Sequence, residues 1–180
     1  MKERTVSYSD RHFMAEALEM AESALTQGEF PVGCVIADGT AVVARGHRTG
    51  TTAGAVNEID HAEINALRHL GLAGEHLDRT DLTIYSTMEP CLMCFAAIVL
   101  SGINRIVYAY EDVMGGGTGC DLTGLPPLYR DAPLTLVAGV RRRASLNLFR
   151  RFFTDPENGY WAGSLLSRYT LNQTKDSHRL

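Results

Sequence analysis

Two short stretches, His61-Ala62-Glu63 and Pro90-Cys91-Leu92-Met93-Cys94, decide how the rest of the chain reads. Neutral imidazole and thiolate are the donors zinc prefers, so His61, Cys91 and Cys94 form a candidate metal set. Three protein ligands leave one tetrahedral position for water, the arrangement of a catalytic site. Glu63, two residues past the histidine, can sit beside the metal without ligating it and is the candidate general acid and base. Cys91 and Cys94 stand at i and i+3, on one face of a helix. Pro90 fits the first helical position, where its missing N–H costs nothing. Both ligand sets are therefore expected at helix N-termini, whose positive dipole ends favour thiolate and metal-bound hydroxide.

Taken singly, each motif has a plainer reading. Asp60 and Glu63 could form a capping box, and a lone C-x-x-C could be a redox pair. Together they would need His-x-Glu, Pro-Cys-x-x-Cys and two helix starts to coincide by accident, and long compound motifs rarely do.

The surrounding chain reads as alternating strands and helices. Ser9 to Gln27 carries apolar residues at helical spacing and is stopped by Gly28. Val32–Ala37 and Ala41–Gly46 read as a hairpin across Asp38-Gly39. The loop from His47 and Arg48 to Asn57 then leads to the metal helix, which makes Arg48 and Asn57 candidates for substrate contact. Glu89 and Pro90, just ahead of the first cysteine, are taken as further contacts. Strands are expected at Leu82–Ser86, Ile103–Tyr110 and Leu134–Ala138, and a short helix at Leu125–Tyr129. About two dozen residues separate the last two strands, enough for a parallel crossover. Gly115-Gly116-Gly117-Thr118-Gly119 lacks the Gly-Lys-Ser/Thr ending of a P-loop and reads as a loop at the rim of the site. Arg141-Arg142-Arg143 opens an amphipathic helix with Leu146, Phe149, Phe152 and Phe153 on its apolar side; a solvated basic face is favoured over an RNA surface. A last helix is expected from Trp161 to Leu171 after the turn at Asp155-Pro156-Glu157-Asn158-Gly159. This pattern predicts an α/β fold, a three-layer αβα sandwich around a mixed five-stranded sheet.

At 180 residues the chain reads as a single domain over 1–171, with 156–171 a C-terminal helical extension and 172–180 a disordered tail. A net charge of −4 does not favour a nucleic-acid binder. The four cysteines suggest no disulfide framework, with Cys34 expected as a buried free thiol. No secretory leader or membrane-spanning stretch is read, so the expected compartment is the cytoplasm.

The H-x-E…P-C-x-x-C pattern is a signature of the zinc nucleobase deaminases. With Glu29-Phe30-Pro31-Val32-Gly33, Gly46-His47 and Thr87-Met88-Glu89-Pro90, it makes the chain resemble the cytidine deaminase superfamily. Within it the chain is most similar to bacterial tRNA adenosine deaminases and to guanine and cytosine deaminase relatives. The resemblance implies one zinc per chain on His61, Cys91 and Cys94, with Glu63 as proton shuttle. It implies that the Ala62 N–H orients the base, that Pro31 and Val32 line the pocket, and that the chain forms a homodimer or larger assembly. Three features depart from those relatives. Where they carry Gly-His-Asn or Gly-Trp-Asn, with the asparagine bonding the base, this chain has Arg48, which has donors only; Asn57 is the candidate substitute. Phe152-Phe153 match an aromatic pair of the tRNA enzymes, yet the acidic turn Thr154-Asp155-Pro156-Glu157 follows instead of a basic helix. The helix expected from Trp161 to Leu171 is an extension over the short tRNA enzymes, placed either over the site or at an oligomer interface.

The expected reaction is hydrolytic deamination of a nucleobase or nucleoside, purine-type favoured, with zinc-bound hydroxide as nucleophile. The expected partner is thus a small molecule, with no membrane. The alternative is a tRNA wobble adenosine-to-inosine deaminase. A structural zinc module is a further alternative and needs a fourth protein ligand, with His47 and Cys120 the candidates; a C-x-x-C oxidoreductase would bind no metal.

Overall fold

The computed structural model describes residues 6–52, 56–72 and 77–173. Helix α1 (Tyr8–Thr26) opens on a reciprocal capping box. Ser7 Oγ accepts from the Asp10 N–H at 3.0 Å, and Asp10 Oδ2 accepts from the Ser7 N–H at 2.9 Å. The hairpin follows as β1 (Gly33–Ala37) and β2 (Val42–His47), then α2 (Ala62–Leu72), β3 (Thr83–Met88), α3 (Leu92–Leu100), β4 (Arg105–Tyr110), a short α4 (Pro127–Arg130), β5 (Thr135–Val137), α5 (Arg142–Thr154) and α6 (Leu165–Asn172).

These strands make one five-stranded sheet in the order β2-β1-β3-β4-β5. Strand β1 is antiparallel to both β2 and β3, while β3, β4 and β5 run parallel, as the long β4–β5 connection allows. Alternate residues of the central strands serve opposite faces. Val35, Ala37, Tyr85 and Val107 pack with Phe13, Met14 and Ala17 of α1. Cys34, Ile36, Ile84 and Ile106 pack with Ala62 and Ala66 of α2 and Phe95 and Ile98 of α3. Burial on both faces gives the three-layer αβα sandwich.

The topology gathers the functional stretches at one edge. Because β1 runs against β3, its first residues lie beside the carboxyl end of β3, and the Gly33 N–H donates to Thr87 Oγ1 at 3.0 Å. The end of β2 pairs with the same start of β1, Gly33 opposite His47. Residues before β1 and after β2, β3 and β4 therefore meet outside the carboxyl ends of the parallel strands, where open α/β sheets bind ligands. Gly46 lets α2 begin close to the sheet: a Cβ there would lie 2.3 Å from the Ala62 carbonyl oxygen.

Two expected helix starts differ. Pro90 does not open α3; Cys91 is the N-cap, extended at φ −64° and ψ 169°. A bridge between Cys91 and Gly116 holds it out of the helix. The last helix does not begin at Trp161, which has a left-handed φ of 54°. It begins at Leu165, behind Ser164, whose side chain caps the Ser167 N–H at 3.1 Å. Of the expected tail, Asn172 ends α6 and residues 174–180 lie outside the described residues. Among the described residues, no helix is long and apolar enough to cross a membrane.

Candidate active site

His61 immediately precedes α2, and Cys91 and Cys94 occupy the start of α3, so both ligand sets do lie at helix N-termini. His61 Nδ1 stands 3.5 Å from Cys91 Sγ and 3.5 Å from Cys94 Sγ. Zinc bonds of about 2.3 Å to sulfur and about 2.05 Å to nitrogen, at tetrahedral angles, place those atoms about 3.5 Å apart. The donor set thus fits zinc in kind and in spacing. Among the described residues these three form the only group of His, Cys, Asp or Glu donors close enough to share an ion. Neither His47 nor Cys120 joins them, which leaves the fourth position open.

The thiols lie against each other and against the imidazole. The neighbouring Cys94 thiol, aided by His61, holds Cys91 down to about 4, against the effect of burial. Cys94 is pushed upward by Cys91, by burial and by the nearby Glu63. Such a pair gives up its remaining proton when a cation binds.

Glu63, in the first turn of α2, is 3 % exposed. Burial raises its carboxyl above the usual carboxylate range, with His61 and Ser86 opposing. Ser86 Oγ, from inside β3, donates to Glu63 Oε1 at 3.0 Å and fixes the carboxylate.

The cradle forms the floor of a cleft of about 490 Å³, its open mouth included. Phe30, Val32, Met88, Tyr160 and Trp161 supply apolar and aromatic walls; Arg48, Glu89 and Asp112 supply polar ones. Of the residues expected from sequence, Ala62, Val32, Arg48 and Glu89 line this cleft with Glu63, His61 and Cys91. Pro31, Asn57 and Pro90 do not. The Asn57 side chain is engaged locally, donating to Asp60 Oδ2 at 2.6 Å and accepting from the Ile59 N–H at 2.9 Å. Glu89 organises the glycine loop, accepting from the Asp112 N–H at 3.1 Å and from Thr118 Oγ1 at 2.5 Å.

Sequence reading missed Ser86 and Asp112, and left the extension that carries Trp161 open between covering the site and forming an oligomer interface; Tyr160 and Trp161 line the cleft. Asp112 had a signal, since it follows the carboxyl end of a parallel strand. Ser86 had a weak one, as a hydroxyl at a fully buried strand position. Tyr160 and Trp161 are expected on a helix that begins later, and no local pattern sets them over a cleft built some 45 to 130 residues earlier.

The comparisons with known proteins agree with this geometry. A family model described as "Cytidine and deoxycytidylate deaminase zinc-binding region" matches residues 7–110. A relative from Streptococcus pyogenes serotype M18 (strain MGAS8232), named tRNA-specific adenosine deaminase, is 35 % identical over 106 residues, 59 % of this chain and 65 % of that protein. The match therefore spans less than two thirds of the streptococcal relative. A relative of the same name from Agrobacterium fabrum (strain C58 / ATCC 33970) is 35 % identical over 160 residues, 86 % of this chain and 97 % of that protein. A solved structure from a study of A-to-I editing by tRNA:A34 deaminases at the wobble position of transfer RNA superposes with a TM-score of 0.63 at 32 % identity, covering 76 % of this chain and 98 % of that one.

Proposed function

This chain belongs to the cytidine and deoxycytidylate deaminase zinc-binding family, and on that premise we propose that it is a hydrolytic deaminase removing the exocyclic amine of a purine-type nucleobase. The observation that carries the reading is the buried Glu63 carboxylate beside a three-donor cradle on the floor of an aromatic-walled cleft. When bound to His61, Cys91 and Cys94, zinc would supply an acidified water at its open position. Glu63 would take one proton from the attacking water as its oxygen bonds to the amine-bearing carbon and hand it to a ring nitrogen, then take the second proton from the new hydroxyl and pass it to the amine, which leaves as ammonia. Ser86 keeps the carboxylate aimed through each transfer. Phe30, Val32 and Trp161 exclude water and hold the ring. The Ala62 backbone N–H, at the start of α2, orients the base.

The names of the relatives favour adenosine in tRNA as the substrate. One observation favours a free base or nucleoside instead. The basic helix that would offer phosphate contacts has three of its four arginines engaged: Arg142 pairs with Glu111, Arg151 with Glu22 at 2.7 Å, and Arg150 donates to the Gln173 carbonyl. We expect a homodimer, since Leu92, Leu100 and Leu128 remain exposed on and beside α3. A reducing compartment such as the cytoplasm suits four cysteines that form no disulfide.

The test is ammonia release by the zinc-loaded protein from adenine, guanine, cytosine, their nucleosides and an adenosine-bearing anticodon stem-loop, with Glu63→Ala as the blank. Turnover of the stem-loop alone, lost at high salt, supports the tRNA reading. Salt-indifferent turnover of a base or nucleoside supports the second. No release above the blank from any substrate overturns the deaminase reading.

A further inference from the structure

Arg48 lies on the cleft yet is 2 % exposed, so a whole guanidinium has been taken out of water at the rim of the site. A buried cation persists only where its partners offset the lost hydration. Its Nη1 donates to the carbonyl oxygens of Thr49, Asn57 and Asp60 at 2.6, 2.7 and 3.1 Å. These carbonyls belong to the loop that ends in His61. Its Nη2 donates to Glu58 Oε2 at 3.0 Å and reaches the Tyr160 hydroxyl at 3.5 Å. The Tyr160 hydroxyl in turn donates to Glu58 Oε2 at 2.8 Å. With the Nη donors committed in this way, the guanidinium is not free to read a base in the manner of an amide.

The chain of contacts ends at the roof of the cleft. Tyr160 and Trp161 sit between α5 and α6 and stack on each other, rings 5.2 Å apart and 11° from parallel. Both also pack on Phe30, at 5.4 and 5.7 Å. Trp161 keeps a φ of 54°, a left-handed backbone that a bulky residue holds only when its surroundings impose it. Such outliers gather at ligand clamps.

Building on the deaminase reading of this site, we propose that Arg48, Glu58 and Tyr160 form a latch that determines specificity: it fixes Tyr160–Trp161 as the wall on which one flat amino-heterocycle stacks. Arg48 is a positioning residue, acting on substrate through Glu58 and Tyr160. The latch ties the wall to the loop that presents His61, so the ring and the metal donors are set by one network.

Trp161 is the only tryptophan in the sequence, so its fluorescence reports on the wall directly. Replacing buried Arg48 would test folding as much as the latch. Glu58→Gln and Tyr160→Phe carry the test, because the Glu58 side chain is 50 % exposed and each change keeps the side chain's shape. In both variants acrylamide should quench Trp161 more strongly than in the wild type. With zinc-loaded protein, KM for adenosine, free or in the stem-loop, whichever the wild type turns over, should rise about tenfold, the worth of a charged hydrogen bond, with kcat held. Unchanged quenching, or a fall in kcat at constant KM, overturns the latch. Should the wild type deaminate nothing, the deaminase reading fails, and the quenching comparison still decides whether the latch holds the wall.

Discussion

The floor and the roof of the cleft are built by opposite means. The floor rests on helix starts: His61 and Glu63 open α2, Cys91 and Cys94 open α3, and both helices are packed into the core. Its geometry is dictated within a few residues of each motif. The roof hangs on a turn between α5 and α6, and aromatic stacking and the contact with Glu58 hold it from a distance. On the proposed reading the floor carries the chemistry and the roof the selection. Changes to the floor should abolish turnover, whereas changes to the roof should alter which ligands are accepted.

The sharpest break in that comparison comes from Glu63. Glu63→Ala should retain zinc, measured as metal per chain, and lose about 10²- to 10⁴-fold in kcat, the usual worth of a positioned acid and base. Cys94→Ala should lose both metal and turnover. If Glu63→Ala lost metal as well, the carboxylate would belong to the cradle and its assignment as proton carrier would fall.

The next effect is on the floor's foundation. Gly46→Ala would put a Cβ 2.3 Å from the Ala62 carbonyl, a backbone atom that cannot rotate away. Chemical denaturation should show a loss of about 1–3 kcal/mol, the range for overpacking. Zinc affinity should fall with it, since the displaced turn carries His61. Wild-type stability with wild-type affinity would mean the approach of α2 to β2 is looser than its glycine suggests.

That contrast also explains what could be read from sequence. The floor was legible because i, i+3 spacing and helix starts translate a local pattern directly into three dimensions. So were the hairpin and the parallel β4–β5 pair, through the Asp38-Gly39 turn and the length of the connection. Pro90 misled because a long-range bridge from Cys91 to Gly116 overrode its local preference for the first helical turn. The roof was illegible for the same reason on a larger scale. Trp161 sits in a helical-looking run, and Gly163 and Ser164 move the start of α6 past it. Arg48 could be recognised as a departure, but a guanidinium buried on backbone carbonyls is visible only once Thr49, Asn57 and Asp60 have come around it.

Ser86 tests how far the floor depends on its supports. Removing one hydrogen bond to a charged group costs about 1.5–3 kcal/mol. Ser86→Ala should therefore lower kcat about 10- to 100-fold, leave metal content unchanged, and raise the pH below which the rate falls, because the Ser86 hydrogen bond opposes the upward effect of burial on Glu63. A variant with unaltered kcat would show that burial alone aims Glu63.

The smallest effect belongs to the roof and has a definite sign. Burial first, and then the Glu58 carboxylate, raise the Tyr160 phenol from 10.0 to about 12, with Arg48 opposing. Only the protonated phenol can donate to Glu58; the phenolate would repel it. A group whose folded pKa is raised contributes its full stabilisation below the unfolded value and loses it as pH climbs through the folded one. The hold on the roof should thus be complete below pH 10 and weaken between pH 10 and about 12. Acrylamide quenching of Trp161 should rise over that interval while far-ultraviolet circular dichroism stays constant, which separates release of the roof from unfolding. Tyr85 and Tyr110 are also raised to about 12, so the control is Tyr160→Phe, in which quenching should be high throughout and flat with pH. A titration that survives in Tyr160→Phe would assign the change to those core tyrosines. It would leave the roof held by stacking on Phe30 alone.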